Sequence, residues 1–318
     1  MKKVWKKEEK NTEAKLANRS ILVTGGTGFI GSRVLERLKK EKDANLIVLS
    51  RTKQGKETPN IEYIICDISS EDSLRAIKGR IQSVDYVLHM AAMIPKSSLK
   101  DDLDENFKQN LLPTINLLKT LPSNIKGFVY SSSIDVYGEP IYNPIDEKHP
   151  TNPLTYYGAS KLATEKFLSI FFKDKGIPFT ILRYSQVYGP GEPIVKAIPV
   201  FISKIIRGEP PVIFGDGSDI RDYVYVDDVA DATVLALNKN LNGIFNIGSG
   251  KGYSIKEVLD IIIEISGKKV EPIYMDRIKK SFNSTLDITL AKEKLGYLPL
   301  TCIEVGLEKE LKFMANLK

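Results

Sequence analysis

Residues 24 to 31 read Thr24-Gly25-Gly26-Thr27-Gly28-Phe29-Ile30-Gly31, and they directly follow the apolar run Ile21-Leu22-Val23. A buried strand therefore feeds a glycine-rich turn. The turn opens an amphipathic helix marked by Val34, Leu35 and Leu38. Strand, turn and helix in that order are what a dinucleotide fingerprint needs. Gly25 lets the chain turn tightly. Gly28 lets the backbone approach a pyrophosphate, and Gly31 lets the helix pack closely on the sheet. The free N–H groups and positive dipole of the helix start, where Phe29 and Ile30 stand, then hold the phosphates.

Outward from this turn the chain alternates strand and helix. Strand-like runs fall at 20–24, 45–50, 61–66, 84–89, 126–131 and 177–183. Helix-like segments fall at 29–41, 71–79, about 102–120 and 156–174. Continuous apolar strands alternating with helices imply an α/β fold, a doubly wound parallel sheet covered on both faces. Prolines at 190, 193, 199, 210 and 211 then mark a change of texture. The expected organisation is a basic extension over 1–19, a dinucleotide-binding domain over 20–186, and a smaller substrate lobe over 187–318. Segments near 212–237 and 244–248 are expected to return to the sheet side, because Gly243-Ile244-Phe245-Asn246-Ile247-Gly248 reads as a buried strand.

Composition is that of an ordinary globule: 318 residues, 42% hydrophobic and 27% charged. No apolar run approaches the ~20 residues of a membrane span. Seven basic and three acidic residues in 1–20 place +4 of the net +6 there. That segment reads as a solvated or loosely docked extension, without the interleaved aromatics of a nucleic-acid arm. It also lacks the apolar core of a secretory signal. The two cysteines, Cys66 and Cys302, lie far apart with no metal-ligand spacing, so no metal and no disulfide are expected, in keeping with a reducing cytoplasm.

Two further motifs bear on chemistry. In Tyr156-Tyr157-Gly158-Ala159-Ser160-Lys161, Tyr157 and Lys161 stand at i and i+4 and share a helix face. A tyrosine ordinarily titrates near 10, and a neighbouring ammonium favours its phenolate. In Val129-Tyr130-Ser131-Ser132-Ser133-Ile134-Asp135-Val136-Tyr137-Gly138, serines follow a strand expected to end near residue 130. The carboxyl ends of such strands line the ligand crevice, where a hydroxyl reaches a substrate oxygen. Each motif alone is common.

Together they resemble the extended short-chain dehydrogenase/reductases, specifically the NAD(P)-dependent nucleotide-sugar epimerase/dehydratase family. The likeness runs from about residue 20 to the end. Gly25, Gly28 and Gly31 follow the family's TGxxGxxG turn. Cys66-Asp67-Ile68 matches the segment whose Asp lies against the adenine. His89-Met90-Ala91-Ala92 matches the motif under the cofactor. The resemblance makes Ser133, Tyr157 and Lys161 the catalytic set: Tyr157 exchanges a proton with the substrate oxygen and Ser133 hydrogen-bonds that oxygen. Lys161 holds the nicotinamide ribose and lowers the Tyr157 pKa. Gln186 falls in the loop that closes over substrate. Arg221, within Gly215-Asp216-Gly217-Ser218-Asp219-Ile220-Arg221-Asp222, would contact the substrate diphosphate. Arg277, ten residues before Asp287, would be a second phosphate arginine, since a planar guanidinium pairs with phosphate oxygens.

Departures from the family shape the expected function. Strand two ends Ser50-Arg51 where NAD-preferring members place an acid, which favours the 2′-phosphate of NADP, with NAD possible. Ile134 stands where dehydratases carry the first of an acid pair, which disfavours dehydration and decarboxylation. Gln186 replaces the usual asparagine. These features imply an oxidoreductase acting at the 4-position of a nucleotide-diphosphate sugar, leaning to a 4-ketoreductase. The alternative is a 4-epimerase that recycles its cofactor, and, more remotely, a non-catalytic cofactor-sensing regulator. Helices 102–120 and 156–174 resemble the family's four-helix dimer interface, so a homodimer is expected, with no nucleic-acid or membrane partner.

Overall fold

The computed structural model describes residues 16–41, 43–52, 58–95, 101–193, 196–277 and 281–317. Its first half alternates strand and helix: Ser20–Thr24 (β1), Phe29–Leu38 (α1), Asn45–Ser50 (β2), Ile61–Ile65 (β3), Glu71–Ile77 (α2), Tyr86–His89 (β4), Leu103–Asn106 (α3), Leu112–Thr120 (α4), Gly127–Ser133 (β5), Tyr156–Lys175 (α5) and Phe179–Tyr184 (β6). Shorter elements follow: Gln186–Tyr188 (β7), Ala197–Ile206 (α6), Val212–Phe214 (β8), Ile220–Tyr225 (β9), Val226–Lys239 (α7), Gly243–Ile247 (β10), Gly252–Ser254 (β11), Ile255–Ser266 (α8), Ile273–Met275 (β12), Thr289–Leu295 (α9) and Ile303–Ala315 (α10).

Seven strands form one parallel sheet in the order β10-β6-β5-β4-β1-β2-β3. The order reverses between β1 and β4. This is a doubly wound sheet, and its ligand crevice lies at that reversal, beyond the strand ends. Two small sheets, β11-β9-β7 and β12-β8, stand apart from it.

Side chains alternate along β1 and feed two cores. Ile21 and Val23 join Val34, Leu35 and Leu38 of α1 on one face. Leu22 joins Leu74 of α2, Leu117 of α4 and Leu168 and Phe172 of α5 on the other. Each such fully buried side chain contributes roughly 1.5–3 kcal/mol through removal from water. Helix α7 covers α1, with Arg37 on Asp231 at 2.7 Å and Asp227 at 3.3 Å. Strand β10 pairs alongside β6, from Gly243 opposite Thr180 to Ile247 opposite Tyr184. Of the 1–19 extension, residues 1–15 lie outside the described residues, whereas Leu16 is fully buried in the first core.

Three of the differences from the sequence reading bear on the site. Strand β4 starts at Tyr86, because Asp85 is committed to the Ser20 N–H at 3.0 Å and to Lys126 at 2.5 Å. Strand β5 runs on to Ser133, because Ser131, Ser132 and Ser133 stay in register with Leu182, Arg183 and Tyr184. The helix expected over 102–120 is interrupted by a π-helical turn, Phe107–Leu111, just before Pro113. Proline has no N–H to continue the ladder, and a wider turn absorbs the mismatch.

Candidate active site

The glycine turn is built by steric exclusion. Gly25 has φ +72°, and a Cβ there would stand 2.6 Å from the Ala91 nitrogen at the end of β4. The Thr24 hydroxyl accepts the Ala91 N–H at 3.2 Å and ties the two strand ends together. Gly28 caps α1 in extended conformation, and no side chain among the described residues caps that helix start. Its first N–H groups stay open toward a cleft of about 360 Å³ lined by Thr27, Gly28, Phe29, Arg33, Pro190 and Gly191. Gly31 corrects the sequence reading. A Cβ there would meet the Gly25 carbonyl oxygen at 2.0 Å, so its close contact is with the turn rather than with the sheet. Gly26 takes the sheet-side contact, against Val48 and Leu35. The cradle therefore fits a dinucleotide pyrophosphate, which needs open amides and no intruding side chain.

The other residues expected at the cofactor lie around the same strand ends. Ser50 is buried and its hydroxyl donates to the Thr52 carbonyl at 2.6 Å, while Arg51 is exposed. Asp67 accepts the Ser69 hydroxyl at 2.7 Å and the Ser69 N–H at 2.9 Å. The Ser69 hydroxyl foremost, with the charge of Arg51 adding to it, holds the Asp67 carboxyl below its usual range. Ile68 is half-buried, Ala91 half-buried and Ala92 exposed. His89 beneath them is buried between the hydroxyls of Thr24 at 2.6 Å and Thr114 at 2.8 Å. Burial, then the charge of Lys161, holds it neutral with a pKa of about 3.

Ser133, Tyr157 and Lys161 come together where β5 meets the start of α5. The Thr155 hydroxyl caps α5 by accepting the Gly158 N–H at 3.0 Å. The Asp101 carboxylate takes the Tyr156 and Tyr157 N–H groups at 2.6 and 3.1 Å, which suits a helix N-terminus. Lys161 is buried. Its Nζ donates to the Ser131 carbonyl at 2.7 Å and lies 4.9 Å from the Tyr130 ring centroid and 5.8 Å from that of Tyr157. Burial pulls the Lys161 pKa down to about 7, and Glu165 opposes that fall.

The expectation that Lys161 lowers the Tyr157 pKa is corrected here. Burial and then the Asp135 charge push the Tyr157 phenol well above its ordinary range, and the Ser133 hydroxyl offsets part of this. The physical reason is desolvation. An ammonium that itself titrates near 7, and is committed to a carbonyl, is a weak counter-charge.

Gln186 on β7 and Arg221 on β9 line a second cleft of about 290 Å³ with Glu192, Lys196 and Tyr223. Arg221 is aimed by the Phe282 and Ile220 carbonyls and by the Ser281 hydroxyl at 2.8 Å. Arg277 lies elsewhere, across β8, where it is engaged by Asp219. The sequence reading missed Asp101, Glu192 and Lys196, and it placed Asp135 only as the second position of the dehydratase acid pair. Burial pushes the Asp135 carboxyl up, and Lys196 is the chief group pulling it back. Of the three missed residues, Glu192 stands six residues after Gln186, close enough for local pattern to flag it.

A doubly wound sheet with an open glycine cradle beside a buried Ser-Tyr-Lys set defines an enzyme of the dinucleotide-binding Rossmann class. The chain belongs to the NAD dependent epimerase/dehydratase family, whose model matches residues 21–248. It is 39% identical over 305 residues to a putative UDP-glucose 4-epimerase of Methanocaldococcus jannaschii, covering 93% of this chain and 98% of the relative. It resembles the crystal structure of Thermotoga maritima UDP-glucose 4-epimerase with UDP-glucose, at TM-score 0.85 and 34% identity, over 94% and 99% of the two chains. It also resembles UDP-glucuronic acid 4-epimerase of Bacillus cereus in complex with UDP-glucuronic acid and NAD, at TM-score 0.84 and 30% identity, over 94% and 100%. These relatives favour the epimerase alternative over the ketoreductase lean, and NAD rather than specifically NADP.

Proposed function

We propose that this chain is a nucleotide-sugar 4-epimerase that inverts the C4 hydroxyl of a UDP-hexose and recycles its cofactor. The observation that carries the reading is the buried Ser133-Tyr157-Lys161 set at the carboxyl end of β5, next to the cleft that holds Arg221. The names of the relatives supply the substrate class. When bound, the dinucleotide supplies a reversible hydride acceptor. The amides of Phe29, Ile30 and Gly31 hold its pyrophosphate where Gly28 leaves room for it, its own N–H being donated to the Gly25 carbonyl, with Ser50, Arg51, Asp67, Ile68, Ala91 and Ala92 around its adenosine half.

In its phenolate form Tyr157 takes the C4 hydroxyl proton, and it returns that proton after the sugar presents its other face. Ser133 hydrogen-bonds the same oxygen and fixes the distance of the phenol. Lys161 holds the ribose. Arg221 anchors the diphosphate, so the sugar has a fixed pivot. Arg51, without a competing acid at Ser50, favours a 2′-phosphate, so NADP is the preferred form within a family described as NAD dependent. Leu103 and Phe107 stand exposed next to α5, where Phe167 and Ile170 are also exposed, and a second copy of the chain covers this apolar surface. Both cysteines are free, which suits the cytoplasm.

The test is incubation of purified protein with UDP-glucose or UDP-galactose and no added reductant. Interconversion of the two supports the epimerase. Stoichiometric loss of NADPH with a 4-keto nucleotide sugar, and no interconversion, overturns it in favour of the reductase.

A further inference from the structure

One turn beyond Lys161 on α5 lies Glu165, a carboxylate almost fully buried beneath the catalytic set. Its Oε1 accepts the Ser132 hydroxyl at 2.5 Å. Arg183 grips it in a two-pronged pair, Nε to Oε1 at 3.1 Å and Nη2 to Oε2 at 2.6 Å. The sheet register makes this possible, because Ser132 of β5 stands opposite Arg183 of β6. The neighbouring residue, Ser131, offers its carbonyl to Lys161. Two consecutive serines on one strand therefore clamp two consecutive turns of one helix. Arg183 is itself held over the Tyr137 ring at 4.7 Å, and Tyr137 donates to Asn246 at 2.7 Å.

Paired buried charges are costly to assemble, and removing one partner leaves the other buried and uncompensated. Resting on the reading of Lys161 as a catalytic residue, we propose that Glu165 is a positioning residue that acts through Lys161. Its fixed carboxylate keeps the buried lysine cationic and directed at Ser131 and Tyr157. The other groups facing this lysine do not supply that charge. His89 is neutral, Tyr130 and Tyr157 are phenols held protonated by burial, and Asp135 faces Tyr157. Arg183 is committed to Glu165 and to the Tyr137 ring. Among the described residues, Glu165 is the negative charge that raises Lys161.

The test reads Lys161 directly, whatever the substrate. The full chain is prepared with ε-13C-lysine, and the Lys161 resonance is assigned by its loss in Lys161→Arg. Its titration midpoint is then followed by NMR. Glu165→Gln is expected to lower that midpoint by roughly one pH unit, the usual effect of deleting a nearby opposite charge. Glu165→Asp, which keeps the charge, is expected to restore most of the shift. If Glu165→Gln does not fold because Arg183 is left unpaired, the reading is taken from Arg183→Met, which leaves the Glu165 carboxylate without its cation and is expected to raise the Lys161 midpoint. An unmoved Lys161 midpoint in folded Glu165→Gln, or in Arg183→Met where Glu165→Gln does not fold, would overturn the proposal and leave Glu165 a merely structural residue. Failure of the epimerase assay, by contrast, would leave this titration result standing.

Discussion

Arg277 donates to both carboxylate oxygens of Asp219, at 2.6 and 2.8 Å, and a further contact to Asp216 lies at 3.5 Å. Both guanidiniums are engaged through Nη1 and Nη2, but the charge of Arg277 is offset by carboxylates, whereas the partners of Arg221 are carbonyls and a hydroxyl. The two arginines are therefore expected to contribute unequally. Arg221→Ala should weaken UDP binding roughly tenfold or more, the scale of a lost charge-assisted hydrogen bond. Asp219→Ala should strengthen UDP binding in the parent chain and leave it unchanged in an Arg277→Ala background. Isothermal titration across this cycle reads the coupling, and equal effects of Asp219→Ala in both backgrounds would refute competition for Arg277.

Tyr157→Phe removes the transferable proton and keeps the ring. Turnover is expected to fall by about 10²–10⁴, the contribution of one positioned acid/base group, with dinucleotide affinity nearly intact. Lys161→Ala should damage both. Steady-state kinetics and fluorescence titration of the cofactor separate these outcomes, and near-parental turnover in Tyr157→Phe would exclude the acid/base role.

Arg51 is exposed and near Asp67. Arg51→Ala should weaken NADP binding roughly tenfold and barely change NAD binding, because only the 2′-phosphate offers it a charge-assisted bond. Equal losses for both dinucleotides, measured side by side, would mean that Arg51 does not meet the phosphate.

Glu192, on the wall of the Arg221 cleft, and Glu310 of α10 are both buried, and each has an oxygen without a partner among the described residues. Burial pushes Glu192 up to about 7. Burial and then the Glu192 charge push Glu310 up to about 8. In the unfolded chain both protons leave near the ordinary carboxyl value of 4.5. Between those limits the folded state binds more protons than the unfolded one, so stability falls as pH rises from about 4.5 to 8 and is retained below. Thermal melts across pH 5 to 9 should show this decline, and Glu310→Gln should flatten it. A decline of parental steepness in the variant would assign the effect to other groups.

Much of this molecule was legible from local pattern. The alternation of Ile21-Leu22-Val23 with an amphipathic helix reads as a sheet element because side-chain period and glycine stereochemistry act within a few residues. Tyr157 and Lys161 share a face because an α-helix brings i and i+4 together wherever it forms. Strand and helix ends were less legible where distant partners intervene, as Lys126 and Ser20 do at Asp85 and as the β6 register does along Ser131-Ser132-Ser133.

The sequence by itself determined the doubly wound sheet, the glycine cradle and the order of Ser133, Tyr157 and Lys161 along the chain, since each follows from short-range geometry. The tertiary structure alone decided what surrounds them. Strand order set Arg183 against Glu165, loop packing set Asp101 on the N-terminus of α5, and α10 brought Glu310 to Glu192. It also decided that Gly31 packs on the Gly25 carbonyl and that Lys161 titrates near 7. Burial and charge proximity depend on residues far apart in the chain, and desolvation in a packed interior acts only once those residues have met.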